Sequence, residues 1–170
     1  MRTQKLPVQS RVPALHIKKI LVPSDFSASS QQALRYTLAL ARQCGAELVL
    51  MHILEPAPTR LNGVGTPTRH NGAGNSVSEP EELSRAIKSL RACAALAKRE
   101  GVAAKSIVRN GLATHEIVEA AKELDVDLVV IGTHGHTGWK HFCIGSTAER
   151  VVRAAPCAVL VVREKEHEFV

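Results

Sequence analysis

A chain of 170 residues, 45% hydrophobic and 22% charged, is long enough to bury a real core and has the composition of one ordinary folded domain. No apolar run approaches the roughly 18 residues that would indicate a membrane span, so membrane insertion is not expected. The formal net charge of +6 raises nucleic acid as a partner, but Lys and Arg are spread over predicted helices and termini without interleaved aromatics, so a solvated surface accounts for them.

Residues 1–15 are expected to form a flexible basic extension. Met1 to Lys19 holds five basic residues, no acidic one and no apolar signal core, so a cytoplasmic protein is expected. A first strand is predicted near Ile17 to Val22, ending in the turn composition Pro23-Ser24-Asp25. A helix follows over about Ser29 to Gln43, with Leu34, Leu38 and Ala41 on one face and Gly45 just past its end. The next strand runs from Glu47 to Leu54.

From Glu55 to Pro80 the composition breaks. Pro56, Pro58, Pro67 and Pro80 alternate with Gly63, Gly65, Gly72 and Gly74, which predicts a long, mobile surface loop, either a lid or a tolerated insertion. The second helix opens at Ser78, with Glu81 completing a capping box, and carries the stripe Leu83, Ala86, Ile87, Leu90, Cys93, Ala94 and Ala97. A short strand near Ser106 to Arg109 turns at Asn110-Gly111 into a helix over Thr114 to Leu124, packing Ile117, Val118, Ala121 and Leu124. The β-branched run Leu128 to Ile131 reads as a strand buried on both faces. A last helix opens near Ser146, capped by Ser146 with Glu149, and packs Ala148, Val151, Val152 and Ala155. Pro156 ends it, and Cys157 to Val162 is the last strand. Five strands alternating with four helices predict an α/β fold: a single-domain, open, parallel sheet with right-handed crossovers and helices on both faces.

Between the buried strand and the last helix lies a loop with Gly132, Gly135, Gly138 and Gly145, closed by Ser146 and Thr147. Glycine lets a ligand approach the backbone, and a helix start aims free N–H groups and the positive end of its dipole at the same place. Together they suit a phosphate group. His134, His136, His141 and Cys143 share this loop, but their spacing fits no zinc arrangement, so no metal site is expected. Cys44, Cys93, Cys143 and Cys157 form no Cys-x2-Cys pair, and Cys93 and Cys157 read as small core residues.

The spacing Gly132-x2-Gly135-x9-Gly145-Ser146 resembles the nucleotide-binding signature of the universal stress protein family, in its ATP-binding branch. Lys18 to Ser27, Leu48 to Leu54 and Pro156 to Arg163 are similar to the family's first, second and last strands, so residues 16–164 form the expected domain, with 165–170 as a tail. The resemblance implies a Rossmann-like sheet of the adenine nucleotide alpha hydrolase type, with strand order 3-2-1-4-5, whose ligand crevice opens between strands one and four. It implies Pro23, Ser24 and Asp25 at the nucleoside and the backbone of Ile53 at the adenine edge. Ile131, Gly132, Thr133, His134, Gly135, His136 and Thr137 would surround ribose and phosphates, and Gly145, Ser146 and Thr147 would bind phosphate oxygens. The implied ligand is ATP, with or without Mg²⁺. An Asx turn or a cap for the first helix is the other reading of Asp25. The role of Trp139 stays open.

The favoured function is a nucleotide-binding regulatory module in stress response. The alternatives are a slow ATP-hydrolysing enzyme, or a partner-binding protein that uses no nucleotide. No Gly-x4-Gly-Lys-Ser/Thr loop, catalytic base or arginine finger is evident, so no catalytic residue is assigned. The apolar strand Cys157 to Val162 would lie at the sheet edge, and pairing it with a second copy gives the homodimer that the resemblance also implies.

Overall fold

Apolar, β-branched runs of five to eight residues meet water on neither face when helices cover both sides of a parallel sheet. The computed structural model, which describes residues 16–56, 69–71, 75–77, 79–133 and 144–163, has this arrangement. Its elements are β1 (Lys19–Pro23), α1 (Ala28–Cys44), β2 (Glu47–Leu54), β3 (Arg69–Asn71), β4 (Asn75–Val77), α2 (Glu79–Arg99), β5 (Ala104–Asn110), α3 (Ala113–Glu123), β6 (Leu128–Gly132), α4 (Ser146–Ala154) and β7 (Ala158–Val162). Five strands form a parallel sheet in the order β5-β2-β1-β6-β7. Counting only these five along the chain, the order is the expected 3-2-1-4-5.

Side chains alternate across the sheet and divide the core in two. Ile20, Val22, Leu48, Leu50, Leu128 and Val130 pack under α1 and α2 with Ala33, Leu34, Leu38, Leu90 and Ala97. Leu21, Val49, Met51, Val129 and Ile131 pack on the other face with Ile117, Ala121, Ala148 and Val151 of α3 and α4. The helix boundaries follow local chemistry. Ser27 caps α1 by accepting from the Ser30 N–H at 3.3 Å, and Gly45 closes it at φ 67 in the left-handed conformation anticipated for that glycine. Glu55, just past β2, accepts from the Ala113 N–H at 3.0 Å and so caps α3 from a distant part of the chain. Ala155, driven out of the helical region by Pro156, ends α4 at φ −63, ψ 141. Asp127 joins the starts of the two middle strands: its Oδ2 accepts the Lys18 and Lys19 N–H groups at 2.8 and 2.9 Å.

Three expectations need correction. The stretch 55–80 is not without secondary structure, because β3 and β4 pair antiparallel within it, apart from the main sheet. The stripe of α2 is not buried along its whole length: Ala86, Leu90 and Ala97 are inside, while Leu83 and Ile87 are 39% and 36% exposed. A 21-residue helix runs about 31 Å, the seven-residue β5 beneath it only about 23 Å, so the first turns overhang the sheet. The third strand reaches from Ala104 to Asn110, longer than the sequence indicated, because it pairs with β2 over its whole length. The expected cap at Ser78, the remainder of the 55–80 stretch, the N-terminal extension and the tail lie outside the described residues. Among the described residues no helix is long and apolar enough to cross a membrane. Cys93 and Cys157 are half-buried, and burial pushes both thiols up, while Cys44 is exposed.

Candidate functional site

The register of the two middle strands creates the opening. β1 pairs with β2 from Lys19↔Glu47 to Pro23↔Met51, and β6 pairs with β7 from Leu128↔Ala158 to Gly132↔Val162. Between themselves β1 and β6 match only at Ile20↔Leu128 and Leu21↔Val129. Beyond that point each strand turns to its outer neighbour: the Ser24 N–H donates to the Met51 carbonyl at 2.8 Å, and the Thr133 N–H to the Val162 carbonyl at 2.8 Å. A crevice therefore opens between the carboxyl ends of β1 and β6, where the winding of the sheet reverses and α/β folds receive ligands.

One rim is the turn after β1. Pro23 is buried, and Ser24 and Asp25 are half-buried. Asp25 Oδ1 accepts from the Ser27 N–H at 3.0 Å and from Ser27 Oγ at 2.6 Å, so the Asx-turn reading of this residue is realised at the rim itself. Ser24 Oγ donates to Ser30 Oγ at 3.1 Å and accepts the Phe26 N–H at 3.1 Å. Ile53 contributes through its backbone. Glu47 and Met51 use their main-chain groups toward β1, whereas Leu48 and Leu54 use theirs toward β5. By strand alternation the N–H and C=O of Ile53 face the β1 side, where β1 has already ended at Pro23.

The opposite rim is the end of β6. Ile131 and Thr133 are buried. A Cβ added to Gly132 would lie 2.6 Å from Ser29 Oγ and 2.8 Å from the Ser29 carbonyl carbon. The missing side chain is thus required by the start of α1, not only by an approaching ligand as the sequence implied. The Gly145 N–H donates to the Thr133 carbonyl at 2.7 Å, which brings the start of α4 back to the end of β6. His134, Gly135, His136 and Thr137, like Trp139, His141 and Cys143, lie outside the described residues.

The expected capping box at Ser146 is not formed. Gly145 is the N-cap, at φ −58, ψ 148, with no side-chain cap, and Ser146 is the first helical residue. With its N–H bound to Thr133, Gly145 is held in the extended conformation a cap requires, so the helix begins immediately after it. Glu149 gives its N–H to the Gly145 carbonyl at 3.0 Å, and its carboxylate pairs with Arg153 at 2.7 Å. The N–H groups of Ser146, Thr147 and Ala148 have no carbonyl four residues earlier within the helix, and with the dipole they present an electropositive end. Among the described residues no group of three His, Cys, Asp or Glu could hold a metal ion.

Sequence reasoning missed two residues that complete the β1 rim, Phe26 and His52. Their rings stack with centroids 4.7 Å apart, and His52 Nδ1 lies 2.7 Å from the Ser24 carbonyl oxygen. A signal for His52 existed: it is the one polar side chain in the run Leu48–Leu54.

Residues 16–163 match the family model described as "Universal stress protein family". The chain belongs to the universal stress protein family. Among curated universal stress proteins it is similar to MJ0531 of Methanocaldococcus jannaschii, at 34% identity over 153 residues, covering 89% of this chain and 85% of that one. The solved structure of the universal stress protein UspA from Lactobacillus plantarum is similar with a TM-score of 0.71 and 25% identity, covering 88% of this chain and all (100%) of that one. A universal stress protein from Archaeoglobus fulgidus, in complex with dAMP, shares the fold at a TM-score of 0.63 and 21% identity, covering 87% of this chain and 99% of its own.

Proposed function

We propose that this universal stress protein is a cytoplasmic regulatory module that binds an adenine nucleotide, ATP in particular, in the crevice between β1 and β6. The observation that carries this reading is the parting of the two middle strands after Leu21 and Val129, which leaves the Ile53 main chain and the start of α4 facing one opening. In the proposal the Ile53 N–H and C=O read the adenine edge, because a purine presents a complementary acceptor and amino donor there. Pro23, Ser24 and Asp25 meet the nucleoside, Asp25 taking the ribose hydroxyls or the adenine amino group. Ile131 to Thr137 surround ribose and phosphates, and Gly145, Ser146 and Thr147 offer the phosphates N–H groups and hydroxyls. The dAMP held by the Archaeoglobus fulgidus protein supports an adenine nucleotide as the ligand class. Mg²⁺ would enter as a companion of the phosphates, since the described residues hold no cluster of metal ligands of their own.

Residues 16–164 are the proposed functional unit. Two such units are proposed to pair through β7, which lies at the edge of the five-stranded sheet with its outer side unpaired among the described residues. The direct experiment denatures freshly purified protein and runs the supernatant on anion exchange. An adenine nucleotide in stoichiometric amount is expected. No carried nucleotide, together with no heat in a titration with Mg-ATP, ADP or AMP, would remove the proposal.

A further inference from the structure

The turn between β1 and α1 holds Phe26 at φ 65, a left-handed conformation that favours glycine and is strained for a bulky side chain. Such a conformation persists only where its surroundings over-determine it, and these cases gather at ligand sites. Phe26 is held from three directions. Its N–H donates to Ser24 Oγ at 3.1 Å, its carbonyl accepts from Gln31 Nε2 at 3.0 Å, and its ring stacks on His52 with planes inclined by 22°. The same imidazole, through Nδ1, donates to the Ser24 carbonyl across 2.7 Å. One side chain therefore grips both neighbours of Asp25. A leucine or valine at position 52 would fill the space and grip neither.

We propose that His52 is a positioning residue of the nucleotide rim. By holding the Ser24 carbonyl and the Phe26 ring it fixes the segment between them, and with it the Asp25 carboxylate, in the orientation that meets the nucleoside. This rests on the nucleotide reading above. The grip acts through geometry, so its two halves are separable. Asparagine places an amide near the position of Nδ1 but has no ring to stack. Phenylalanine keeps a ring but has no donor.

The test is a double-mutant cycle on the full chain, read by calorimetric titration with Mg-ATP. His52→Asn is expected to weaken binding about fivefold, and His52→Phe by a similar factor through the lost Ser24 contact, with far-UV spectra unchanged. Glycine takes positive φ without strain, so a Phe26→Gly background no longer needs the stack. There His52→Asn should cost almost nothing further, giving a coupling of at least about threefold. Ring-nitrogen NMR spectra should show His52 protonated at Nδ1, the less common tautomer in free histidine. If wild type binds Mg-ATP and His52→Asn binds it equally well, or if the two losses multiply independently, the inference falls. If wild type binds no adenine nucleotide, the nucleotide reading falls instead, and amide exchange at Ser27, whose N–H bonds to Asp25, then decides the grip. Faster exchange in His52→Asn than in wild type upholds it, and equal rates overturn it.

Discussion

Ser27 and Ser146 both precede helical runs, and the fold uses them differently. Ser27 Oγ accepts the Ser30 N–H and donates to Asp25, whereas Ser146 sits inside the first turn of α4 behind a glycine cap. Ser27→Ala is therefore expected to lower stability by about 1–2 kcal/mol and Ser146→Ala by a few tenths at most, as read from urea midpoints; equal losses would contradict these assignments. Asp127 gives a pH-dependent case. The Lys18 N–H first, and then the Lys19 N–H, hold its carboxyl below the usual range. Its folded pKa thus lies below the unfolded value of about 3.9. The stabilisation is complete above that value and is lost as pH falls through the folded one. Asp127→Asn should destabilise at neutral pH by less than about 1 kcal/mol, because the group is exposed and screened. That difference should close as pH falls through the folded pKa, so a constant gap between urea midpoints at neutral and at strongly acidic pH would refute the account. At this scale the sequence was partly legible. Pro23-Ser24-Asp25 reads as a turn from composition alone, but nothing in a phenylalanine announces a positive φ. The partner of His52 lies 28 residues away, a separation no local pattern encodes.

Among the elements, the pairing direction of β7 decides which of its residues face the open edge. Val162 uses its carbonyl toward Thr133 of β6, so by alternation Leu160 also faces β6 while Val159 and Val161 turn their main-chain groups to the open edge. Val161→Pro is expected to leave the sheet intact and abolish pairing with a second copy, whereas Leu160→Pro should damage the sheet. Light scattering behind a sizing column checks this. A wild-type mass near the 18.3 kDa of one chain would dismiss the dimer, and an intact dimer in Val161→Pro would dismiss this edge as its interface. The long amphipathic helices and buried strands were legible because their periodicity is a property of the local chain. The overhang of α2 was not, because it depends on the length of a strand elsewhere. The antiparallel pair β3–β4 was hidden for another reason: Arg69-His70-Asn71 and Asn75-Ser76-Val77 show no apolar alternation, so main-chain pairing leaves no mark in their composition.

For the molecule as a whole, Mg-ATP at about 100 times its dissociation constant should add roughly 2.7 kcal/mol. For a chain of this size the melting temperature should then rise about 5–11 °C. GTP should do less, since the Ile53 main chain would be matched to adenine, and equal shifts with both would remove adenine recognition. Alternation of strand and helix made the strand order and the place of the crevice legible, because crossover handedness leaves few topologies. The depth of the crevice was not, since it follows from how early β1 and β6 stop pairing, and register is set by three-dimensional packing. That short register has a mechanical consequence. Two matched positions join one half-sheet, β5-β2-β1, to the other, β6-β7, while every other junction is longer. On one face α1 spans this weak joint, with Ser29 lodged against Gly132. Tension applied across the strands would tear the sheet first along that joint, and a molecule seated with one end on Asp25 and the other on the start of α4 would act as a rivet through it.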